Sequence, residues 1–358
     1  MAVLSGIRIV EFDALGPVPF CGMLLADHGA DIVRIVRPGS PIVDDAVGGA
    51  ILHRGRTSVE LDLKKTADRQ AALRLITQAD ALLEGFRPKV MERLELGPEP
   101  CLAANPRLVY GRMTGWGQTG PLALRAGHDI NYIALTGALH AIGPTATPVP
   151  PLNLVADYGG GAKFLAFGVL AALLDAKTSG RGRVVDAAMC DAVPLLLSLF
   201  HAFATKGKWL DERESNLLDG GTPFYRCYPC LDGKFVAVGA LEPQFYREML
   251  NGLGLDPLAF PQDDRERWPA AIASIGAVFV TRTRDEWAEH FSDSDACVSP
   301  VLNLSESTSA SHLKSRGVFT RHGATSVPAP APRFDKAQAP GRSPWRDEIE
   351  IAIARWNT

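Results

Sequence analysis

The stretch IRIVEFDALGPVPFCGMLLADHGADIVRIV, residues 7–36, decides the fold. Ile7 to Phe12 is a short apolar run of the kind that forms a strand buried on both faces. Pro17 to His28 places a proline in its first turn, where a missing N–H is harmless, and Gly29 follows its end. Asp31 to Val36 repeats the strand texture, and Pro38 stops it. The result is a βαβ unit, the opening of an open parallel sheet.

Working outward, Leu61 to Leu63 reads as a further strand. A helix follows from about Thr66, with Ala72, Leu75, Ile76 and Ala79 at helical spacing. Ala81 to Glu84 and Leu108 to Met113 are strands. Leu152 to Val155 reads as another, ended by Asp157. Gly159-Gly160-Gly161 then lead into an apolar helix from Ala162 to Leu174, and Val184 to Ala187 reads as the last strand. This alternation predicts an α/β fold: an open, mostly parallel, Rossmann-like sheet in a large domain spanning residues 1–190. Residues 191–205 are apolar almost all round, notably Leu195, Leu196, Leu197, Leu199 and Phe200, and such a helix must be covered on several sides. It is expected to open a connection, 191–221, and to meet another subunit. Residues 222–310 read as a smaller α+β domain, with a hairpin of strands near 224–229 and 234–239 turned at Asp232-Gly233 and a capping box at Thr283 and Glu286. Residues 311–358 are expected to return to the large domain through the proline-rich run Val327 to Pro332 and an irregular stretch over 335–348.

The 358 residues are 46% apolar and 22% charged, the profile of a folded chain with a sizeable core. A net charge of −3 sets no field that would favour nucleic acid as a partner. Met1 to Gly6 leads straight into a strand-like run, and no apolar stretch reads as long enough to span a membrane. The C-terminal Arg355-Trp356-Asn357-Thr358 is not a Ser-Lys-Leu type signal. A cytosolic protein without a membrane partner is the expectation. Six irregularly spaced cysteines give no disulfide framework, and Cys227 and Cys230 lack the two further ligands a zinc site would need, so no metal is expected.

The turn Ala14-Leu15-Gly16-Pro17-Val18-Pro19 has one glycine where a dinucleotide fingerprint needs three. The second strand carries Arg34 and Arg37 where that fingerprint wants an acid. Arginine there suits a phosphate. Arg54, Arg56, Lys64, Lys65 and Arg87 add cations at strand ends, although any one of them alone is an ordinary surface charge. No G-x-S-x-G, H-E-x-x-H or P-loop pattern occurs. Two stretches remain. In Ala126-Gly127-His128-Asp129-Ile130-Asn131-Tyr132, His128 stands at a helix start, where backbone N–H groups suit an anion such as an enolate oxygen. In Val155-Ala156-Asp157-Tyr158, Asp157 falls at a strand end, where open α/β sheets hold ligands. Taken singly, each is equally a capping residue. His140, in an apolar context, reads as a core histidine.

Taken together, the segments resemble the family III CoA-transferase superfamily over nearly the whole chain. The likeness is carried by Leu4-Ser5-Gly6-Ile7-Arg8-Ile9-Val10-Glu11, Leu25-Ala26-Asp27-His28-Gly29-Ala30-Asp31, Leu61-Asp62-Leu63-Lys64, Glu84-Gly85-Phe86-Arg87-Pro88 and Met113-Thr114-Gly115-Trp116-Gly117-Gln118-Thr119-Gly120-Pro121. Gly127-His128-Asp129, Pro150-Pro151-Leu152-Asn153, Asp157 before its glycines, and Gly239-Ala240-Leu241-Glu242-Pro243 resemble the branch that racemises 2-methylacyl-CoA thioesters. Ala156, where that branch often has glycine, and Leu52-His53-Arg54-Gly55-Arg56 depart from the pattern.

The resemblance implies His128 and Asp157 as the two proton carriers and Glu242 as partner of the histidine. Asp129 would offer its backbone N–H to the enolate oxygen. Arg37, Arg54, Leu61, Leu63 and Arg87 would contact CoA. It implies no cofactor beyond the substrate's own CoA, and an interlocked homodimer in which Glu242 acts in cis or across the interface. The alternative is a transferase that moves CoA between carboxylic acids through an acyl-Asp157 intermediate. A third reading, an acyl-CoA-binding protein, keeps the fold and discards the chemistry. The acyl chain, the preferred direction and the pathway stay open at the level of sequence.

Overall fold

The computed structural model of the chain describes residues 2–43, 48–322, 325–335 and 341–357. The chain divides into two compact units. The first comprises Met1–Thr136, Pro151–Leu197 and Arg316–Thr358; the second comprises Gly137–Pro150 and Ser198–Ser315. Residues 137–150 therefore group apart from the rest of the first 190.

The first unit is built on a seven-stranded sheet. Its strands are β1 (Arg8–Phe12), β2 (Asp31–Val36), β3 (Arg56–Glu60), β4 (Ala81–Glu84), β5 (Val109–Thr114) and β6 (Val184–Ala188). The second unit holds β7 (Tyr225–Pro229), β8 (Phe235–Gly239) and β9 (Val298–Pro300). A hairpin of β10 (Phe319–His322) and β11 (Thr325–Pro328) and the short β12 (Trp345–Arg346) complete the strands. The main sheet runs β12-β3-β2-β1-β4-β5-β6, with every pair parallel. The chain winds outward from β1 in both directions, so the topological switch point lies between β1 and β4. Open sheets of this kind leave a crevice there, beyond the carboxyl ends of the strands.

One face of the sheet is closed by helix Thr66–Ile76 and by the C-terminal helix Ile349–Trp356, which pack Leu75, Ile76, Ala352 and Trp356 against Val10, Phe12, Val33, Ile35 and Leu82. In the second unit the antiparallel β7-β8-β9 sheet packs Tyr228, Val236 and Val238 against Met249, Ile275, Phe279 and Trp287. The hairpin and the Thr283–Glu286 capping box form as the sequence predicts.

Charge is buried in the first unit as matched pairs. Glu11 on β1 is 1% exposed and accepts hydrogen bonds from Arg56 Nη1 at 2.6 and 2.7 Å, with Arg34 Nε at 3.5 Å. Arg34 also donates to Asp13 at 2.6 Å. Arg54 makes a bidentate contact with Asp27, 2.8 and 2.5 Å. A buried guanidinium keeps its charge only beside a carboxylate. Arg34, Arg54 and Arg56, read from sequence as phosphate-facing cations, are structural ion pairs. Burial, together with the charges of Arg34 and Arg56, pushes His53 down to about 3, so its ring is neutral.

Several elements differ from the sequence reading. The third strand is Arg56–Glu60, and Leu61 beyond its end is a core residue at 4% exposure. The apolar run 191–205 is two short helices, Met189–Leu196 with Pro194 inside it and Ser198–Thr205. Its Leu195, Leu196 and Leu199 are 61, 45 and 49% exposed in the single chain. Val327 and Pro328 belong to β11, and Trp345 pairs in parallel with Thr57, so part of the stretch expected to be irregular extends the main sheet; residues 336–340 lie outside the described residues. Leu154 to Ser179 form one helical run of 26 residues, long and apolar enough to span a membrane by length and composition, which the sequence reading did not anticipate. Its Leu165, Val169, Ala172, Leu173 and Ala176 are buried within the fold.

Removing one partner from a buried ion pair leaves the other charge stranded. Glu11→Ala should therefore cost about 3–5 kcal/mol of unfolding free energy, read as a lowered urea midpoint. A loss below about 1 kcal/mol, the level of a surface pair, would refute this account.

Candidate active site

A cavity of about 460 Å³ opens at the β1/β4 switch point. Its walls are the loop Asp13–Gly16 after β1, residues 85–88 after β4, residues 113–116 at the end of β5, residues 125–128, Tyr132, Asp157 and Met189. All of these belong to the first unit.

His128 is the N-cap of helix Asp129–Leu135 and has extended backbone. Its N–H donates to Asn131 Oδ1 at 3.0 Å, and its side chain is exposed toward the cavity. Tyr132, one turn on, donates its hydroxyl to the Gly127 carbonyl at 2.5 Å. Its ring meets Trp116 edge-on, 4.7 Å between centroids, and lies so close to Gly115 that a Cβ there would fall 2.0 Å from it. The peptide that carries His128 is thereby held from below by an aromatic ring that only glycine admits.

Asp157 arrives from a different element. Sequence placed it at the end of a strand; the structure places it on a π-helix, Leu154–Ala162, that runs into helix Lys163–Ser179. Residues 152–155 take no place in the sheet, and Leu152 and Leu154 are exposed. The first N–H groups of any helix have no acceptor within it. Here two of them, Ala156 and Asp157, donate to Asp129 Oδ2, both at 2.8 Å. The Asp157 carboxylate is half-buried and accepts a hydrogen bond from Asn153 Nδ2 at 3.4 Å. Burial raises its pKa above the ordinary aspartate value; the Asn153 hydrogen bond opposes the rise, the negative Asp129 adds to it, and His128 works against it. Gly16, at φ +70°, lies under the carboxylate, where a Cβ would stand 3.0 Å from Oδ2.

Arg87 is exposed and lines the cavity on the loop after β4. That loop is anchored by Glu84, whose Oε2 accepts the Phe86 N–H at 2.8 Å while Oε1 accepts from Arg112 Nε at 2.9 Å. Burial pushes Glu84 up to about 7, against the pull of the Phe86 hydrogen bond and of Arg112.

Of the residues singled out from sequence, the cavity thus gathers His128, Asp157 and Arg87, with Asp129 buried behind them. Arg37 is exposed beyond β2 and is not among the cavity's lining. Arg54 is 3% exposed and occupied by Asp27, so it has no free face for a phosphate. Leu61 and Leu63 pack on the hydrophobic core. Glu242 is the exposed N-cap of helix Pro243–Gly252 in the second unit. His140 is exposed rather than buried, with Nε2 3.2 Å from the Asp211 carbonyl. Cys227 and Cys230 are free thiols, and no metal-binding cluster occurs among the described residues. Sequence reasoning missed Gly16, Glu84, Tyr132 and Asn153 as parts of the site. Glu84 and Asn153 sit inside motifs quoted for their family likeness, Tyr132 ends the stretch read as a helix start, and Gly16 is the lone glycine of the turn after β1.

A Rossmann-like sheet with this cavity at its switch point defines an α/β enzyme scaffold, and residues 4–347 match CoA-transferase family III. The chain belongs to that family. It is 44% identical over 340 residues to the α-methylacyl-CoA racemase of Mus musculus, covering 94% of this chain and 88% of that protein. It is 44% identical over 332 residues to the α-methylacyl-CoA racemase of Homo sapiens, covering 92% and 86%. The crystal structure of Rv3272 from M. tuberculosis superposes with a TM-score of 0.82 at 25% identity over 98% of both chains.

Two measurements check this geometry. Gly16→Ala combines a left-handed backbone with crowding of Asp157 and should destabilise the fold by about 1–3 kcal/mol in urea unfolding; a neutral result would mean the loop relaxes freely. Glu84 has its folded value raised from 4.5 to about 7, so the folded chain holds more protons than the unfolded one across that window. Its contribution to stability is full below the window and is lost as pH rises through it. Glu84→Gln should flatten that fall, and an unchanged pH dependence of the urea midpoint would rule the assignment out.

Proposed function

We propose that the protein racemises the α-carbon of 2-methylacyl-CoA thioesters by 1,1-proton transfer. The observation that carries this is the convergence of His128 and Asp157, from two different elements, on one cavity. The 44% identity to two α-methylacyl-CoA racemases supports the same reading.

Inversion needs a base on one face of the α-carbon and an acid on the other. In one direction the first carrier takes the α-proton, and the C–H electron pair moves into the thioester to give an enolate. The second carrier then returns a proton to the opposite face, leaving the two side chains in exchanged protonation states. The reverse direction begins from that state. A carboxylic acid with a raised pKa keeps its proton closer to neutral pH, which suits Asp157 to the acid half of its role. The Asp129 backbone N–H, at the start of its helix, is the proposed donor to the enolate oxygen. Positioned acid–base groups contribute roughly 10²–10⁴-fold and an oxyanion donor about 10²–10³-fold. A carbon acid this weak needs both.

Arg87 at the cavity wall is the proposed contact for a CoA phosphate, with Arg37 as a further exposed cation near the sheet's end. Glu242 is proposed to orient and charge-tune His128, from the same chain or from a second copy. The homodimer belongs to this reading; its support is the outward-facing Leu195, Leu196 and Leu199. Both proton carriers are side chains, so the chemistry calls for no cofactor beyond the substrate's CoA. A cytosolic location is proposed with it.

The test is one enantiomer of a 2-methylacyl-CoA in D₂O, followed by NMR at C2 and by chiral analysis. Exchange with inversion is expected, and His128→Ala and Asp157→Asn should each lower turnover by at least about 10²-fold while remaining folded. Near-normal inversion by either variant would sink the assignment. Hydroxylamine trapping of an acyl adduct on Asp157, with no exchange at C2, would favour CoA transfer.

A further inference from the structure

We propose that the Asp129 side chain is a positioning residue that fixes the Asp157 carboxylate relative to His128 by capping the N-terminus of the π-helix. This rests on the acid–base reading of those two residues and adds what holds them at a set separation.

Asp129 is 6% exposed. Its Oδ2 accepts from two consecutive amides, Ala156 and Asp157, each at 2.8 Å. Its Oδ1 is buried without a hydrogen-bond partner among the described residues, so the hold of this side chain is concentrated on those amides. The first hydrogen bond inside the π-helix is donated by the next residue, Tyr158, to the Asn153 carbonyl at 3.3 Å. The amides of 156 and 157 thus depend on a group from outside their own helix. Asp129 follows His128 directly in the chain, and the His128 N–H is pinned by Asn131. One carboxylate is thereby one peptide bond from the first proton carrier and one hydrogen bond from the backbone of the second. Charge-assisted bonds of this kind are shorter and roughly twice as strong as neutral ones. A misplacement of about 1 Å in a pair that must face a single carbon can cost on the order of 10²-fold in rate.

The same carboxylate also acts on Asp157 through its charge. Asp13, Arg87, Arg125, His128 and Tyr132 share the cavity with Asp157; Cys190 and Asp191 stand on the helix packed against the π-helix; Tyr158 and Lys163 share its own run. Beyond burial and the Asn153 hydrogen bond, the charges that act on Asp157 are those of Asp129, which raises its value, and His128, which lowers it. Removing the Asp129 charge should therefore shift the Asp157 titration to lower pH, an effect that a purely structural residue would not produce.

The experiment compares wild type with Asp129→Asn and Asp129→Ala, checking each fold by thermal unfolding; if the alanine variant does not fold, the near-isosteric asparagine carries the test. Amide hydrogen exchange at residues 156 and 157 and an NMR titration of the Asp157 carboxyl are read without any substrate. The expected result is faster exchange at both amides and a lower Asp157 titration midpoint. With 2-methylacyl-CoA, kcat should fall by on the order of 10²-fold with KM little changed. Unchanged amide protection and an unchanged Asp157 midpoint in a folded variant would overturn the proposal. A loss of turnover that merely follows lost stability, with the midpoint unmoved, would overturn it too. If wild type exchanges no α-proton while the amide and titration effects appear, the clamp stands and the racemase reading fails.

Discussion

Glu11 sits in the middle of a parallel sheet, almost without contact with water, and three neighbouring strands are tied together through it. An ionised carboxylate in that position must be matched, and the strands on its side supply Arg34 and Arg56. The consequence reaches the site. Arg34 also holds Asp13, the first residue of the loop that continues to Gly16 beneath Asp157. The ion network anchors one wall of the cavity, and it consumes cations that would otherwise be free to meet a phosphate.

The cavity owes its position to topology and its chemistry to two helix starts. The switch between β1 and β4 opens the crevice. The loop after β4 forms another wall, anchored by Glu84 and Arg112. Neither helix start is self-sufficient. The first is pinned by Tyr132 on the carbonyl before His128, and the second by a carboxylate borrowed from the first. A family whose members share a sheet can vary its reaction by changing what stands at two such points.

Much of this was legible in the chain. The βαβ texture of residues 7–36, the hairpin at Asp232-Gly233 and the Thr283 capping box rest on local rules of periodicity and turn chemistry, and they appear where those rules put them; the alternation through residue 190 holds except that the third strand lies at Arg56–Glu60 and residues 152–155 form none. His128 was readable as a helix N-cap because a glycine and a polar pair precede an apolar run. Asp157 was readable as a site residue but not as a helical one. A short apolar run before an aspartate has the same local pattern in a strand and in a π-helix. Likewise, 191–205 looks like one helix until Pro194 and the turn at Leu197 divide it.

The sequence by itself determined the class of fold and most of its elements, because these follow from the spacing of neighbours along the chain; the roles of His128 and Asp157 came from the family resemblance instead. Only the tertiary structure decided which charges are free. Arg54 and Arg87 look alike in sequence, yet one is sealed against Asp27 and the other faces the cavity. It also decided what holds Asp157, since the Asp129 carboxylate and the two amides it receives lie 27 and 28 positions apart. Burial and charge pairing are sums over everything that surrounds a group in space, and no pattern confined to the chain contains them.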